Sequence, residues 1–274
     1  MGSLKVYASV AGFLAVAAST MTAQAADLLP PPMMPEPFEV AGGFSGGWYL
    51  RGDIGFSNQS VEKITNPVIT AGTTLDVKQK GFDAAPFGGV GVGYKFNDWL
   101  RADLTGEYRG RSTFHGFDTV TTPGVYFGTN ELTGSKSEWV GLANFYFDLG
   151  NWHGFTPFIG AGVGFAHNTI HDFKDVNFLF GGIATARDHS ETNLAWAVHA
   201  GVSYAVSPNF SIELAYRYLH LGDARTGTLV SFDGLSSTPG TRFRNVDSHD
   251  FKVGLRWMFG DVPSYDHPPL MRKN

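Results

Sequence analysis

The chain has 274 residues, of which 43% are hydrophobic, 14% aromatic and only 16% charged, and its formal net charge is −5 at pH 7. The lack of cysteine excludes disulfides and thiolate chemistry, and the negative net charge gives no basic footprint for nucleic acid. The abundance of aromatic residues argues against a disordered chain. The mean hydropathy of −0.08 nevertheless resembles that of a water-soluble protein. The arrangement of the residues along the chain has to show how a chain with many aromatic and few charged residues reaches this average.

The first segment, residues 1–25, is predicted to be a secretory signal peptide. Lys5 gives it a positive start, residues 6–18 form a short apolar run, and residues 23–25 form a small-residue cleavage site. The apolar run is too short for a membrane anchor, because a spanning helix needs about 20 residues. The proline-rich segment 26–46 is predicted to be a periplasmic linker of polyproline character. These features predict export from the cytoplasm.

From residue 48 onward, apolar and polar residues alternate with a period of two, which predicts strands with two different faces. In the first run, Trp48 and Leu50 share one face, whereas Arg51 and Asp53 share the other. Most runs approach the ~9–11 residues of a tilted membrane strand. The eight runs lie at 48–57, 89–96, 100–109, 138–148, 159–166, 194–205, 210–218 and 250–259.

The connections between the runs alternate in length. Four of them are each about 25 residues long and rich in Gly, Thr, Ser, Asn and Asp, and they lie at 58–84, 111–136, 168–191 and 222–246. Long loops on one side and tight turns on the other are typical of outer-membrane barrels. A soluble β-sandwich also has short alternating strands, but its loops are not usually sorted by length in this way.

The predicted fold class is therefore all-β, an eight-stranded antiparallel transmembrane up-and-down barrel over residues 47–259. It has short periplasmic turns and four long, mobile extracellular loops. Residues 260–274 are predicted to be a C-terminal periplasmic tail.

Barrel closure pairs every strand edge, as a bilayer demands of a non-helical span, and directs the polar face into the lumen. Inward glycines such as Gly93 and Gly160 leave room there for long side chains. Unpaired buried charges each cost several kcal/mol, so we predict a lumen plugged by ion pairs. An ion-selective channel would instead show an excess of one sign. The predicted network holds seven charges of each sign: Arg51, Asp53, Lys95, Arg101, Asp103, Glu107, Arg109, Glu138, Asp148, Glu213, Arg217, Asp250, Lys252 and Arg256.

Aromatic residues cluster at the ends of the runs, where they predict two girdles at the membrane–water interfaces. Packing in a protein core would explain apolar aromatics in general, but not their position at strand ends. The predicted girdle residues are Trp48, Phe96, Trp99, Trp139, Phe147, Trp152, Phe155, Phe210, Tyr218 and Phe259.

Four segments carry a family resemblance: GGWYLRGDIG at 46–55, FTPFIGAGVG at 155–164, ELAYRY at 213–218 and VGLRWMF at 253–259. They resemble the small eight-stranded outer-membrane barrels of Gram-negative bacteria, the group of porin-family surface antigens and OmpA-type transmembrane domains. The resemblance implies location in the cell outer membrane and recognition of the last strand by the barrel-insertion machinery. It implies no particular function, because a fold can serve several.

Two serine–histidine combinations are candidates for a hydrolytic site. A hydrolase needs its nucleophile and base within hydrogen-bond reach and a third group that orients the base. His189 and Ser190 are adjacent in a strand and therefore point to opposite faces. His199 and Ser203 are too far apart along one strand, so His199 is predicted to be a buried structural histidine.

Three further histidines, His167, His171 and His189, offer at most a weak metal or haem site, and they are better explained as solvated loop residues. We therefore predict no catalytic residue, no cofactor and no metal site.

The sequence thus predicts a non-enzymatic outer-membrane barrel that contributes to envelope integrity and displays its extracellular loops as a surface antigen. The expected partners are outer-membrane lipid and lipopolysaccharide, the barrel-insertion machinery and a loop ligand of unspecified identity, with no role for nucleic acid. Two alternatives remain open: a narrow porin for small solutes, and a lipid A-modifying barrel enzyme.

Overall fold

The computed structural model of the protein describes residues 46–65, 74–122, 125–179 and 181–259. The predicted signal peptide, most of the predicted linker and the predicted tail lie outside these residues, and they stay predictions. Across the described ranges, no helix is long and apolar enough to cross a membrane.

All regular elements of the described residues are β-strands. In chain order they are β1 (Gly47–Thr65), β2 (Thr74–Phe82), β3 (Ala85–Lys95), β4 (Leu100–Thr122), β5 (Val125–Asp148), β6 (Phe155–Asn177), β7 (Ile183–Ala186), β8 (His189–Ser207), β9 (Phe210–His220), β10 (Ala224–Arg225), β11 (Leu229–Ser231), β12 (Ser237–Thr238) and β13 (Arg242–Met258).

Eight of these strands form a closed antiparallel ring in the order β1-β3-β4-β5-β6-β8-β9-β13, and β13 pairs back onto β1. This ring confirms the predicted eight-stranded barrel. The other strands extend the barrel at the end predicted to be extracellular, and we call this extended part of the barrel the wall. In it β2 pairs with β4, β7 pairs with β6, and β10 pairs with β13. The β11–β12 hairpin continues outward from β7.

The outer surface changes character at one level of the barrel. On β1 the outward side chains from Trp48 to Phe56 are apolar and exposed, and the next outward positions, Asn58 and Ser60, are polar. The same change occurs from Trp139 to Ser137 and at corresponding positions of the neighbouring strands. We call this level the outer boundary and define it by Phe56, Tyr108, Trp139, Phe165, Leu194 and Phe251. Below it, exposed apolar side chains form the band that a bilayer requires.

Much of the sequence that was predicted to form long loops is strand. β4 continues to Thr122, β5 begins at Val125, and these two strands pair along almost their whole length. The reason is the solvent: beyond the outer boundary the outer face meets water, so strands can be polar outside without losing their pairing. Their remaining apolar signal, at positions such as Val61 and Phe114, lies on the inner face and is buried.

The predicted girdle residues divide into two groups. Eight are exposed, with Trp48 and Trp139 both 59% accessible. The other two, Phe210 and Tyr218, are half-buried. Tyr218 packs against Trp196, with ring centroids 5.4 Å apart.

Candidate functional site: the lumen and its cap

The lumen holds thirteen of the fourteen charged side chains of the predicted network in buried positions. Lys95 is the exception. It lies at the short-turn end of β3, its side chain is 20% exposed, and its Nζ is 3.8 Å from Asp98.

A lower layer of the lumen is centred on Arg51 of β1. Its guanidinium lies 2.8 Å from Asp53, 2.8 Å from Asp103 of β4 and 3.2 Å from Glu213 of β9. Glu213 also accepts ion pairs from two further arginines, Arg101 at 2.9 Å and Arg256 at 3.0 Å. The layer is completed by Asp148, which pairs with Arg101, and by Lys252, which pairs with Asp53. Side chains from opposite walls therefore meet across the lumen.

An upper layer lies closer to the outer boundary. Arg217 of β9 bridges Glu107 at 2.7 Å and Asp250 at 2.6 Å. Arg109 of β4 contacts the same Asp250 at 2.8 Å and reaches Glu138 of β5 at 2.7 Å. Because each guanidinium spans two strands, this layer ties β4, β5, β9 and β13 together.

Sequence reasoning missed one member of the upper layer. Lys136 is fully buried, and its Nζ lies 2.6 Å from Glu138. It has the same inward parity as Glu138, two residues away, but the polar composition of residues 111–136 predicts a loop there, and the structure shows strand. With Lys136 included, the lower layer holds four charges of each sign and the upper layer three of each.

Inward glycines make space for the large polar side chains. A Cβ placed on Gly160 would lie 2.5 Å from Cδ1 of Tyr146, and one on Gly93 would collide with the ring of Tyr49. Tyr146 accepts a hydrogen bond from Arg51 at 3.1 Å, and Tyr49 donates one to Asp103 at 3.1 Å. Both tyrosines fill the lower layer and leave their hydroxyls paired, as buried tyrosine requires.

The histidines considered for chemistry are separated by the structure. His199 is buried and hydrogen-bonds through Nε2 to Asn144 at 3.1 Å, while Ser203 accepts from Arg256. His167 contacts Thr192 and His171 contacts Asp188 on the outer surface. Among the described residues, no group of three or more His, Cys, Asp or Glu is arranged to hold a metal ion.

An apolar cap fills the barrel above the ion-pair layers. Phe114 and Phe243 pack with ring centroids 4.9 Å apart, and Phe82 lies 5.2 Å from Phe114. Val140 and Leu142, which had broken the alternation of their run, point inward and are buried in the same cluster. The other large members of the cap are Val61, Ile64, Leu132, Ile170, Phe173, Leu219, Leu221, Leu229 and Val246.

Two aspartates lie on the inner face beyond the cap. Asp118 of β4 is 1% exposed and pairs in register with Asn130 of β5, which in turn faces Asn177 of β6. Burial raises the pKa of Asp118 to about 6. Burial, together with the charge of Asp118, raises the pKa of Asp175 to about 6. Asp175 also lines a cavity of about 430 Å³ that opens between the β6–β7 turn and the β11–β12 hairpin.

Comparison with known proteins gives one family and several relatives. The family model described as "Outer membrane protein beta-barrel domain" matches residues 11–259. An uncharacterised protein of Brucella abortus is 29% identical, covering 88% of this chain and 94% of its own length. A Rickettsia typhi protein described as an adhesin candidate is 30% identical, covering 77% and 87% respectively. Among solved structures, Neisserial surface protein A is 19% identical, covers 79% of this chain and all of its own, and superposes with a TM-score of 0.43.

Reversing one charge of the upper layer tests whether the network supports the barrel. Arg217→Glu places a third carboxylate beside Glu107 and Asp250, so we expect the free energy of unfolding to fall by about 3 kcal/mol or more. The measurement is the temperature at which the folded gel mobility of detergent-solubilised protein is lost. The matched control is Arg244→Glu on the exposed wall, which should change this temperature little. Equal effects of the two variants would contradict a structural role for the network.

The raised pKa of Asp118 predicts a pH dependence of the extracellular wall. Because its folded-state pKa of about 6 exceeds the ordinary value of 3.8, the unfolded segment loses its proton first, and the stability of the wall falls as pH rises from about 4 to about 6. Hydrogen exchange of residues 114–132, corrected for the intrinsic rate, should show less protection at pH 7.5 than at pH 4.5. Asp118→Asn should reduce this difference, whereas Asp83→Asn, on an exposed residue, should leave it in place.

Proposed function

We propose, on the premise that this chain belongs to the outer membrane protein beta-barrel domain family, that it is a closed structural barrel which presents its extracellular wall for recognition. The protein is an integral component of the outer membrane, where lipid surrounds the apolar band. The observation that carries the proposal is the sealed lumen, in which two electrically balanced layers of ion pairs lie beneath an apolar cap.

The charge balance of the lumen favours a plug over a pore. A channel that selects one sign of ion needs an excess of the opposite sign along its wall, whereas each layer here is neutral. Opening a path would separate buried pairs such as Arg109–Asp250, and leaving a buried charge without its partner costs about 3–5 kcal/mol. Above the pairs, the packed rings of the cap add an apolar barrier. The lumen therefore supports envelope integrity more readily than transport.

The tips of the wall supply the recognition surface. Phe232 and Leu235, in the β11–β12 turn, are 91% and 88% exposed, and Phe178 at the end of β6 is 63% exposed. These side chains lie far beyond the outer boundary, so bilayer lipid does not cover them. Exposed apolar groups of this kind mark interaction sites. The Rickettsia typhi relative described as an adhesin candidate supports a role in attachment, with the wall as the displayed antigen.

Conductance measurements distinguish the closed barrel from the alternative, a narrow porin. We expect purified protein in planar bilayers to show no large, steady single-channel currents, because the ion pairs and the cap close the lumen. A general porin reconstituted in the same bilayers is the positive control. Steady currents at neutral pH from protein with folded gel mobility would contradict the closed lumen and show that the barrel is a pore.

Attachment through the tips can be tested with paired substitutions. Phe232→Ser with Leu235→Ser should reduce adherence of bacteria displaying the protein to cultured epithelial cells by about tenfold, because the exposed apolar surface is removed. Lys174→Ser with Thr185→Ser, on exposed polar positions of the same wall, should leave adherence unchanged. Surface display is quantified for both variants. Unchanged adherence of the first variant would remove the tips from the proposed function without affecting the closed lumen.

A further inference from the structure

The outer surface of the wall carries a hydrogen-bonded chain of serine, histidine and aspartate. Ser137 of β5 lies 2.9 Å through its Oγ from Nε2 of His171 on β6. Nδ1 of the same histidine lies 2.7 Å from Oδ2 of Asp188, in the connection between β7 and β8. These three residues therefore have the connectivity of a nucleophile, a base and an orienting carboxylate.

The charges around these three residues indicate which atoms of the Ser137–His171–Asp188 chain carry protons. A hydrogen bond from His171 and the nearby charge of Arg111 hold the pKa of Asp188 below its ordinary value, so this carboxylate is ionised and only accepts hydrogen bonds. Nδ1 of His171 must then carry the proton that Asp188 accepts. In the neutral imidazole, Nε2 is left as an acceptor, and the Ser137 hydroxyl donates to it. This is the tautomer that a histidine needs to act as a general base toward serine.

The backbone fixes the carboxylate from a second side. The pairing of β5 with β6 shifts register between Thr133 and Ser135, and Asp172 at this bulge has a φ of 51°. Its backbone N–H donates to Oδ1 of Asp188 at 3.3 Å. Bulges of this kind re-aim side chains next to active sites. Both oxygens of Asp188 are therefore held while His171 is oriented.

The position of Ser137, His171 and Asp188 relative to the outer boundary indicates the class of substrate. Ser137 is the first outward position beyond Trp139 and so lies just above the outer boundary. At this depth the hydrocarbon of a bilayer gives way to headgroups, and the acyl ester bonds of membrane amphiphiles lie there. Ser137 is 9% exposed and the side chain of His171 14%, so neighbouring groups shelter both from bulk water. Arg111, at the β4 bulge opposite Ser137, is 60% exposed and pairs with Asp172 at 3.5 Å, so it does not leave an excess of positive charge on this surface.

We propose that Ser137, His171 and Asp188 form an acyl-ester hydrolase site for ester-linked amphiphiles of the surrounding leaflet. Ser137 Oγ attacks the ester carbonyl carbon while His171 Nε2 takes its proton. The tetrahedral intermediate collapses, the bond to the alkoxy oxygen breaks, and His171 returns the proton to the departing alcohol. Water, deprotonated by His171, then attacks the carbonyl carbon of the acyl-serine. The bond to Ser137 Oγ breaks, His171 returns the proton to that oxygen, and a carboxylic acid is released. The cycle is redox-neutral and needs no cofactor.

This site uses neither the lumen nor the tips, so it stands independently of the proposed structural function. It conflicts with the expectation of a non-enzymatic barrel, which rested on serine–histidine pairs within one strand. Ser137, His171 and Asp188 come from three separate segments, and only the register of β5, β6 and β8 brings them together.

A fluorophosphonate probe tests the nucleophile directly. Folded full-length protein is incubated with the probe, and the modified peptide is identified by mass spectrometry. We expect modification at Ser137, loss of modification in Ser137→Ala, and a rate at least about 10³-fold lower in His171→Ala. The matched control is Ser190→Ala. Its hydroxyl also faces outward, 2.9 Å from the hydroxyl of Thr169, and its loss should leave the labelling rate unchanged.

Ester hydrolysis identifies the substrate source. Vesicles of phosphatidylglycerol and aggregates of lipopolysaccharide are supplied separately, and released fatty acid is measured for wild type and for Ser137→Ala purified in parallel. Release from either source that requires Ser137 supports the proposal and tells phospholipid from glycolipid. All variants must keep the folded gel mobility, which is expected because the substitutions lie outside the lumen network. Absence of labelling at Ser137, or labelling at an equal rate in His171→Ala, would overturn the proposal.

Discussion

Neutralisation of charge inside the lumen is the constraint on which the barrel depends. A strand that crosses lipid must show an apolar outer face, and its period of two then sends every second residue inward. In this chain many of those inward residues are charged, and they are stable there because they pair with one another, in most cases between strands. Arg51 and Arg217 illustrate this, since each contacts carboxylates of more than one strand. The network thus closes the lumen and also links walls that are distant in sequence.

The barrel reverses its polarity at the outer boundary. Below it, apolar side chains face lipid and most of the buried charges lie in the interior. Above it, the outward side chains are mainly polar and most of the interior is apolar. The same ring of strands therefore behaves as a membrane protein at one end and as a soluble β-structure at the other. This reversal explains why the wall extends far beyond the bilayer without separate loop domains.

The two surfaces proposed for function lie at different heights and meet different surroundings. The tips, with Phe232 and Leu235, face the exterior and suit contact with a macromolecule. Ser137 and His171 lie just above the outer boundary, and the substrates proposed for them are the amphiphiles of the leaflet. Under the proposed function the lumen is closed to transport, so we place the chemistry and the contacts of the barrel on its outer surface. The position of each surface follows from where the outward residues change from apolar to polar.

The sequence by itself determined the fold, because alternation of period two is local and survives in any single strand. It also placed Arg51, Glu213 and most other charges on the inward face, since parity along a strand decides the face. It did not reveal that Lys136 continues the network. Beyond the bilayer the outer face of a strand is polar, so the alternation of apolar and polar residues that predicts a strand is lost. Only the tertiary structure decided which charges pair, and only it brought Ser137, His171 and Asp188 into one chain. Those contacts depend on the register between strands and on bulges, which hydrogen bonding across the closed sheet sets and no single segment encodes.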